Sequence, residues 1–298
     1  MEQCDLLGQH GRVSLPSDNP VLNAVGLKFP ADGSVLRGAH LAVGEREAVA
    51  VLGPAGAGKS ALLALLCGML EPAAGSLWAN GRPLHALPAD QRQSFFRRQF
   101  GVLPQDCRIL PELSIAENVA LPLRLAGMNP SRAIERSRVW LERFEIEDHA
   151  SSLAAGLTKP VLRRAALARA LVGDPVVLLA DEPLMDLAVQ TAEATARILR
   201  SIAVSHGTAI VVFTRDPMTA AYFSRTIKLT EGRTDAQAAS PPPAAVPLLA
   251  ASGERAQLSL PLGIAASGRG AGTQVGAPLG YSAGGESADF GLPLGPAR

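Results

Sequence analysis

Between residues 21 and 234 this chain alternates short apolar runs with longer stretches of helical period. LNAVGLKF (22–29) and AHLAV (39–43) read as strands joined through the turn PADGS. EAVAVLG (47–53) is apolar without alternation, the pattern of a strand buried on both faces of a sheet. KSALLALLCGML (59–70) is apolar on all sides, which predicts a buried helix running up to Pro72. FGVLPQ (100–105), PVVLLADEP (175–183) and TAIVVFTRD (208–216) predict three further strands. Residues 106–165 change towards helices: Asn129 and Pro130 form an N-cap and first-turn pair, and Ile134, Leu141 and Phe144 share one face. RRAALARAL (163–171) and AVQTAEATARILRSIA (188–203) are also helical. The pattern predicts an α/β fold, a mainly parallel sheet with an antiparallel N-terminal β part and a helical insertion.

Composition divides the rest of the chain. Residues 235–298 hold eight prolines and eleven glycines in 64 positions, with seven charges and no period, so they are expected to be a disordered tail. Residues 1–20 are polar and turn-rich, an expected flexible leader. The start lacks a basic segment followed by an apolar core and is not expected to be a signal peptide. No apolar run approaches the roughly 20 residues that span a bilayer. Net charge is +1, which argues against a nucleic-acid partner. Cys4, Cys67 and Cys107 share no metal-ligand spacing and read as reduced structural thiols.

The chemistry is concentrated in two places. GPAGAGKS follows a buried strand and opens a helix. Gly53, Pro54, Ala55, Gly56, Ala57 and Gly58 form a loop whose glycines let backbone N–H groups converge on phosphates, Lys59 is placed for the β- and γ-phosphates, and Ser60 for Mg²⁺. Only four of the 28 basic residues are lysines, so a chance match at Lys59 is improbable. About 120 residues on, Asp181 and Glu182 end the strand VVLLADE. Asp181 is placed to hold Mg²⁺, and Glu182 to orient and deprotonate an attacking water. This is the arrangement of a P-loop NTPase that binds a nucleoside triphosphate with Mg²⁺.

On these motifs, residues 21–232 resemble the ATP-binding subunits of ABC (ATP-binding cassette) transporters. The resemblance identifies VLPQD as a Q-loop, with Gln105 facing Mg²⁺ and the γ-phosphate, and Phe29 as the ring that stacks on adenine. LPELSIAENVALPLRLAG is most similar to the branch of lipoprotein-releasing, cell-division and macrolide-export ATPases. It also implies a nucleotide-binding domain over 21–234, with a helical subdomain at about 106–165.

Two segments depart from the family pattern. An ungapped register puts Leu157, Thr158, Lys159, Pro160 and Val161 where the family has Leu-Ser-Gly-Gly-Gln, a motif that closes on ATP held by a second subunit. LAAGL (153–157) lies four residues too early for that role. Thr158 keeps a hydroxyl, Lys159 adds bulk and charge, and Pro160 deletes an N–H. Arg215 stands in the place of the switch histidine, and an arginine is a poor mimic of a group that positions water. Ala188 stands where the D-loop usually ends in aspartate, and Asp186 lies two positions earlier. The expectation is therefore secure ATP binding with compromised turnover.

The resemblance implies a subunit that couples ATP binding, and slow or partner-assisted hydrolysis, to an integral membrane permease. It would act as a homodimer, or as a heterodimer with a second ATPase subunit, peripheral on the inner face of the cell membrane. A non-hydrolysing ATP-binding module that gates a membrane partner is the alternative. A soluble P-loop kinase is disfavoured, because Glu182 beside Asp181 suits attack by water.

Overall fold

The computed structural model describes residues 20–235. The expected leader and tail, and Cys4, lie outside the described residues. The N-terminal strands β1 (Leu22–Phe29) and β2 (Leu36–Val43) form an antiparallel hairpin, and β4 (Ala74–Ala79) and β5 (Arg82–Pro83) complete a four-stranded antiparallel sheet of order β2-β1-β4-β5. A second sheet contains β3 (Ala48–Leu52), β6 (Phe100–Leu103), β7 (Val177–Asp181), β8 (Ala209–Thr214), β9 (Arg225–Thr230) and β10 (Arg233–Thr234). Its order is β10-β9-β3-β8-β7-β6, parallel throughout except for the edge strand β10.

Strand alternation feeds two cores. Val49, Val51, Leu179, Val211 and Phe213 point into one cluster, which they share with the antiparallel sheet and with helix α1 (Lys59–Leu66). Ala48, Ala50, Ala180, Ile210 and Val212 point into the other. That second core also takes in α3 (Ile115–Leu125), α4 (Pro130–Arg143), α5 (Lys159–Leu171) and α6 (Val189–His206), while α2 (Ala89–Gln99) leads into β6. Ala165, Ala166 and Ala168 on the buried side of α5 let that helix come close to the sheet. At Gly101 in β6, a Cβ atom would lie 2.1 Å from the Ala170 carbonyl of α5, so only glycine allows this approach.

Local signals set the helix ends. Ser114 begins α3 with a capping box: its hydroxyl accepts from the Glu117 amide at 3.3 Å, and the Glu117 carboxylate accepts from the Ser114 amide at 2.9 Å. Asn129 caps α4 through the Ser131 amide at 3.0 Å, with Pro130 in the first turn, as the sequence indicates. Two helix limits differ from the reading of the sequence. The first helix stops at Leu66 instead of continuing to Pro72. The Met69 amide returns to the Ala64 carbonyl at 2.8 Å and the Gly68 amide to Leu65 at 3.2 Å, a Schellman ending. The helix containing RRAALARAL starts four residues earlier, at Lys159, because Pro160 fits a first helical turn. LAAGL overlaps a short 3₁₀ turn (Ala154–Gly156) before it, so Thr158 and the residues after it form the helix N-terminus.

Candidate functional site

The carboxyl ends of β3, β8 and β7 lie side by side, which puts the phosphate loop, Thr214 and Asp181 at one edge of the sheet. The loop itself is shaped by Gly58, whose φ of 99° and tight contact with Leu36 and Val35 exclude a side chain. Gly53 anchors the loop's start by donating to the Thr214 carbonyl at 3.0 Å. Lys59 Nζ donates to the carbonyls of Gly53 (2.7 Å) and Pro54 (3.0 Å), which holds the ammonium against the loop.

A cleft of about 330 Å³ opens here, lined by Ala55, Gly56, Gly58, Lys59, Ser60, Gln105, Asp181, Glu182 and Arg215, with Val35 and Ala61. It adjoins a second cleft of about 620 Å³ that shares Ser60, Gln105 and Asp181 and reaches Lys159 and Arg163 of α5. Most of the residues read from the sequence therefore meet in one place. Phe29 does not line this cleft. It packs half-buried against the core at the end of β1, and its carbonyl accepts from the amide of Val35, which does line the cleft.

Ser60 Oγ donates to Asp181 Oδ2 at 3.2 Å. Burial holds the Asp181 carboxyl above the usual carboxylate range; the Ser60 hydrogen bond opposes this, and the adjacent Glu182 charge reinforces it. A hydroxyl, a carboxamide and a carboxylate around one cleft are hard oxygen donors, the set that suits Mg²⁺ beside phosphate oxygens. Ser60, Gln105 and Asp181 thus fit this ion.

Glu182 is buried and fixed on every side. Its φ is 48°, a left-handed value uncommon for a side-chain-bearing residue. Its amide donates to the Phe213 carbonyl at 2.8 Å. One carboxylate oxygen accepts from the Thr214 hydroxyl and the other from the Arg215 amide, both at 2.9 Å. Arg215 thus supports Glu182 through its main chain, while its side chain is exposed at the cleft. Reading the sequence missed Thr214. The available signal was its place at the end of β8, just before Asp216 and Pro217, which cap and open α7 (Pro217–Ala221).

At the altered segment, Thr158 is the N-cap residue of α5 and makes no side-chain cap bond. The Val161 amide turns back to the Thr158 carbonyl at 3.1 Å. Ala188 occupies the N-cap position of α6 without a capping side chain, and the Asp186 carboxylate faces Arg163 at 3.4 Å. Cys67 and Cys107 are buried, unpaired thiols, raised by burial.

Comparison with known proteins agrees with this geometry. Residues 36–185 match the ABC transporter family model. The chain is 38% identical over 202 residues to the lipoprotein-releasing system ATP-binding protein LolD of Paramagnetospirillum magneticum, covering 67% of this chain and 89% of that protein. It is 34% identical over 205 residues to the Escherichia coli ABC transporter ATP-binding protein YbbA, covering 69% of this chain and 90% of that one. The dimeric structure of MJ0796, a bacterial ABC transporter cassette, superposes with a TM-score of 0.67 at 27% identity, covering 72% of this chain and 97% of that one. The same cassette has a dimeric structure in a post-hydrolysis state with ADP and Pi, at a TM-score of 0.65. With a phosphate loop and strand-end acids meeting in one cleft of a P-loop NTPase fold, the conclusion is direct: this chain belongs to the ABC transporter family, as an ATP-binding domain.

Proposed function

We propose that this chain is the ATP-hydrolysing subunit of a LolD-like transporter, coupled to a separate membrane permease, and that its turnover is slowed by the residues at the start of α5 and by Arg215. Among the described residues no helix is long and apolar enough to cross a membrane, which suits a subunit held at the membrane by a partner. In this reading residues 106–165 are the helical subdomain, and residues 235–298 take no part in nucleotide binding. Phe29 offers the aromatic surface for adenine.

The chemistry follows from the positions of the side chains. Lys59 and the loop amides bind the phosphates. Ser60, Asp181 and Gln105 would hold Mg²⁺, which would supply positive charge beside the phosphates. Glu182, pinned by Thr214 and the Arg215 amide, orients water and accepts its proton. The relative captured with ADP and Pi supports hydrolysis as the family's reaction.

The observation that carries slow turnover is the start of α5. Pro160 lies in the first turn and has no N–H, and the Val161 amide is directed to its own chain. A phosphate approaching this helix end from a second subunit meets fewer backbone donors than a glycine pair would offer. Losing one transition-state donor typically costs about 10²–10³ in rate.

The test is steady-state phosphate release at saturating Mg-ATP by wild type, Arg215→His, Lys159→Gly with Pro160→Gly, and the combination. The reversions should raise the rate, and the combination should exceed either alone, because both act in one closed state. Brisk wild-type release left unchanged by the reversions would show that these residues are competent substitutes. No single-turnover release by any variant would favour the non-hydrolysing module.

A further inference from the structure

Arg163 lies one turn inside α5 and is only 4% exposed. Three segments of the site meet at its guanidinium. Nη1 donates to the Glu182 carbonyl at 3.0 Å. Nη1 and Nη2 both reach the Gln105 carbonyl at 3.4 Å. Nη2 also faces the Asp186 carboxylate at 3.4 Å. These partners belong to the loop after β6, to the end of β7, and to the loop that leads into α6.

A buried guanidinium is tolerated when it is paired and its donors are used. Here the two terminal nitrogens serve the main chain of the two residues assigned to hydrolysis and the Asp186 carboxylate, while the buried Nε has no partner among the described residues. Glu182 holds a left-handed conformation, which a residue with a side chain keeps only where its surroundings over-determine it. Its amide and carboxylate are tied to β8, at Phe213, Thr214 and Arg215. Its carbonyl is tied to α5, through Arg163. The same guanidinium fixes the Gln105 loop, and its helix carries Thr158, Lys159 and Pro160 at its exposed start, one turn away.

We propose that Arg163 is a positioning residue that clamps the Gln105 loop and the Glu182 main chain to α5, so that movement of the start of this helix reaches the water-activating carboxylate and the metal-facing carboxamide together. The proposal rests on the roles given above to Glu182 and Gln105. Arg163 acts through their carbonyls, in a fork geometry that lysine cannot reproduce.

The test uses the full chain with three substitutions. Arg163→Met keeps the stem and removes every donor. Arg163→Lys keeps the charge without the fork. Asp186→Asn alters the half-exposed partner and leaves the buried stem in place, so it reports even if Arg163→Met fails to fold. Three quantities are measured: ATP affinity, single-turnover phosphate release, and hydrogen exchange of peptides covering residues 100–108 and 181–187. Arg163→Met should leave ATP affinity unchanged and slow single-turnover release by about 10²-fold, the loss expected from small misplacement of reacting groups. Arg163→Lys and Asp186→Asn should fall between it and wild type. Exchange should accelerate in both peptides together. Wild-type exchange in both peptides of a folded Arg163→Lys or Arg163→Met variant would overturn the clamp, as would a fall in melting temperature with an unchanged rate. Wild type that releases no phosphate would instead refute the hydrolytic reading, and the exchange data would still decide the clamp.

Discussion

The phosphate-loop side of the cleft and the α5 side are built from the same chain to different standards. On the first side, strand, loop and helix agree: β3 is buried, Gly58 takes the turn, and Ser60 meets Asp181 at 3.2 Å. On the second side, the residues suit the fold, and in the proposed reading they serve the chemistry less well. Pro160 is well placed in the first turn of a helix, where its missing N–H would be unpaired anyway. In the proposed reading a phosphate would use that N–H, whereas a helix does not need it. Arg215 likewise fixes Glu182 through its amide, which any residue but proline supplies. Folding and catalysis thus place separable demands on the same positions, and an altered motif can be structurally sound.

Lys59→Ala should give the largest effect and would break the comparison if it failed. Truncating one member of a close charge pair costs about 2–5 kcal/mol, so ATP should bind about thirtyfold or more weaker, read with a fluorescent ATP analogue. Wild-type affinity in this variant would remove the loop from its role.

Asp181→Asn tests the loop side by stability. The folded state holds this carboxyl above its unfolded value, so it binds the proton more tightly than the unfolded chain does. Stability contributed by the group is present at low pH and is lost as pH rises through the folded pKa. The neutral amide should therefore raise urea-unfolding stability at pH 7 by about 1 kcal/mol. The gain should vanish in acid, where aspartate is protonated in both states. A gain that persists in acid would assign the effect to packing.

The smallest effect compares two helix starts. Ser114→Ala removes a capping box and should cost about 1 kcal/mol in urea unfolding. Thr158→Ala, which removes no side-chain cap bond, should cost less than about 0.5 kcal/mol. Equal losses would mean that Thr158 supports α5 in a way its hydrogen bonds do not express.

What the sequence revealed follows the range of the interactions. The loop from Gly53 to Ser60 and the pair Asp181–Glu182 were legible because each lies on consecutive residues at a strand end. The end of α1 was overestimated because Met69 and Leu70 continue the apolar run after the Schellman ending has stopped the helix. Pro160 already marked the start of α5, but a reading centred on RRAALARAL placed it late. Arg163 could not be found that way. Its partners are 19 and 58 residues distant, and in sequence it is one of two adjacent arginines on a helix. Phe29 reads as an adenine contact from its place in a motif; its ring is half-buried and lies outside the phosphate cleft, so local geometry alone does not express that role.

The approach of α5 to β6 has a mechanical consequence. At Gly101 the Ala170 carbonyl occupies the space where a Cβ atom would stand, and the buried face of α5 carries Ala165, Ala166 and Ala168. Side chains this short have almost no rotamers in which to absorb displacement. The joint between this helix and the sheet is therefore stiff, with little compliance at its C-terminal half. A push delivered at Lys159 is not dissipated by repacking beneath the helix. It would tilt α5 as a lever about the Gly101 contact, and the arm that moves would be the end that carries Lys159 and Arg163.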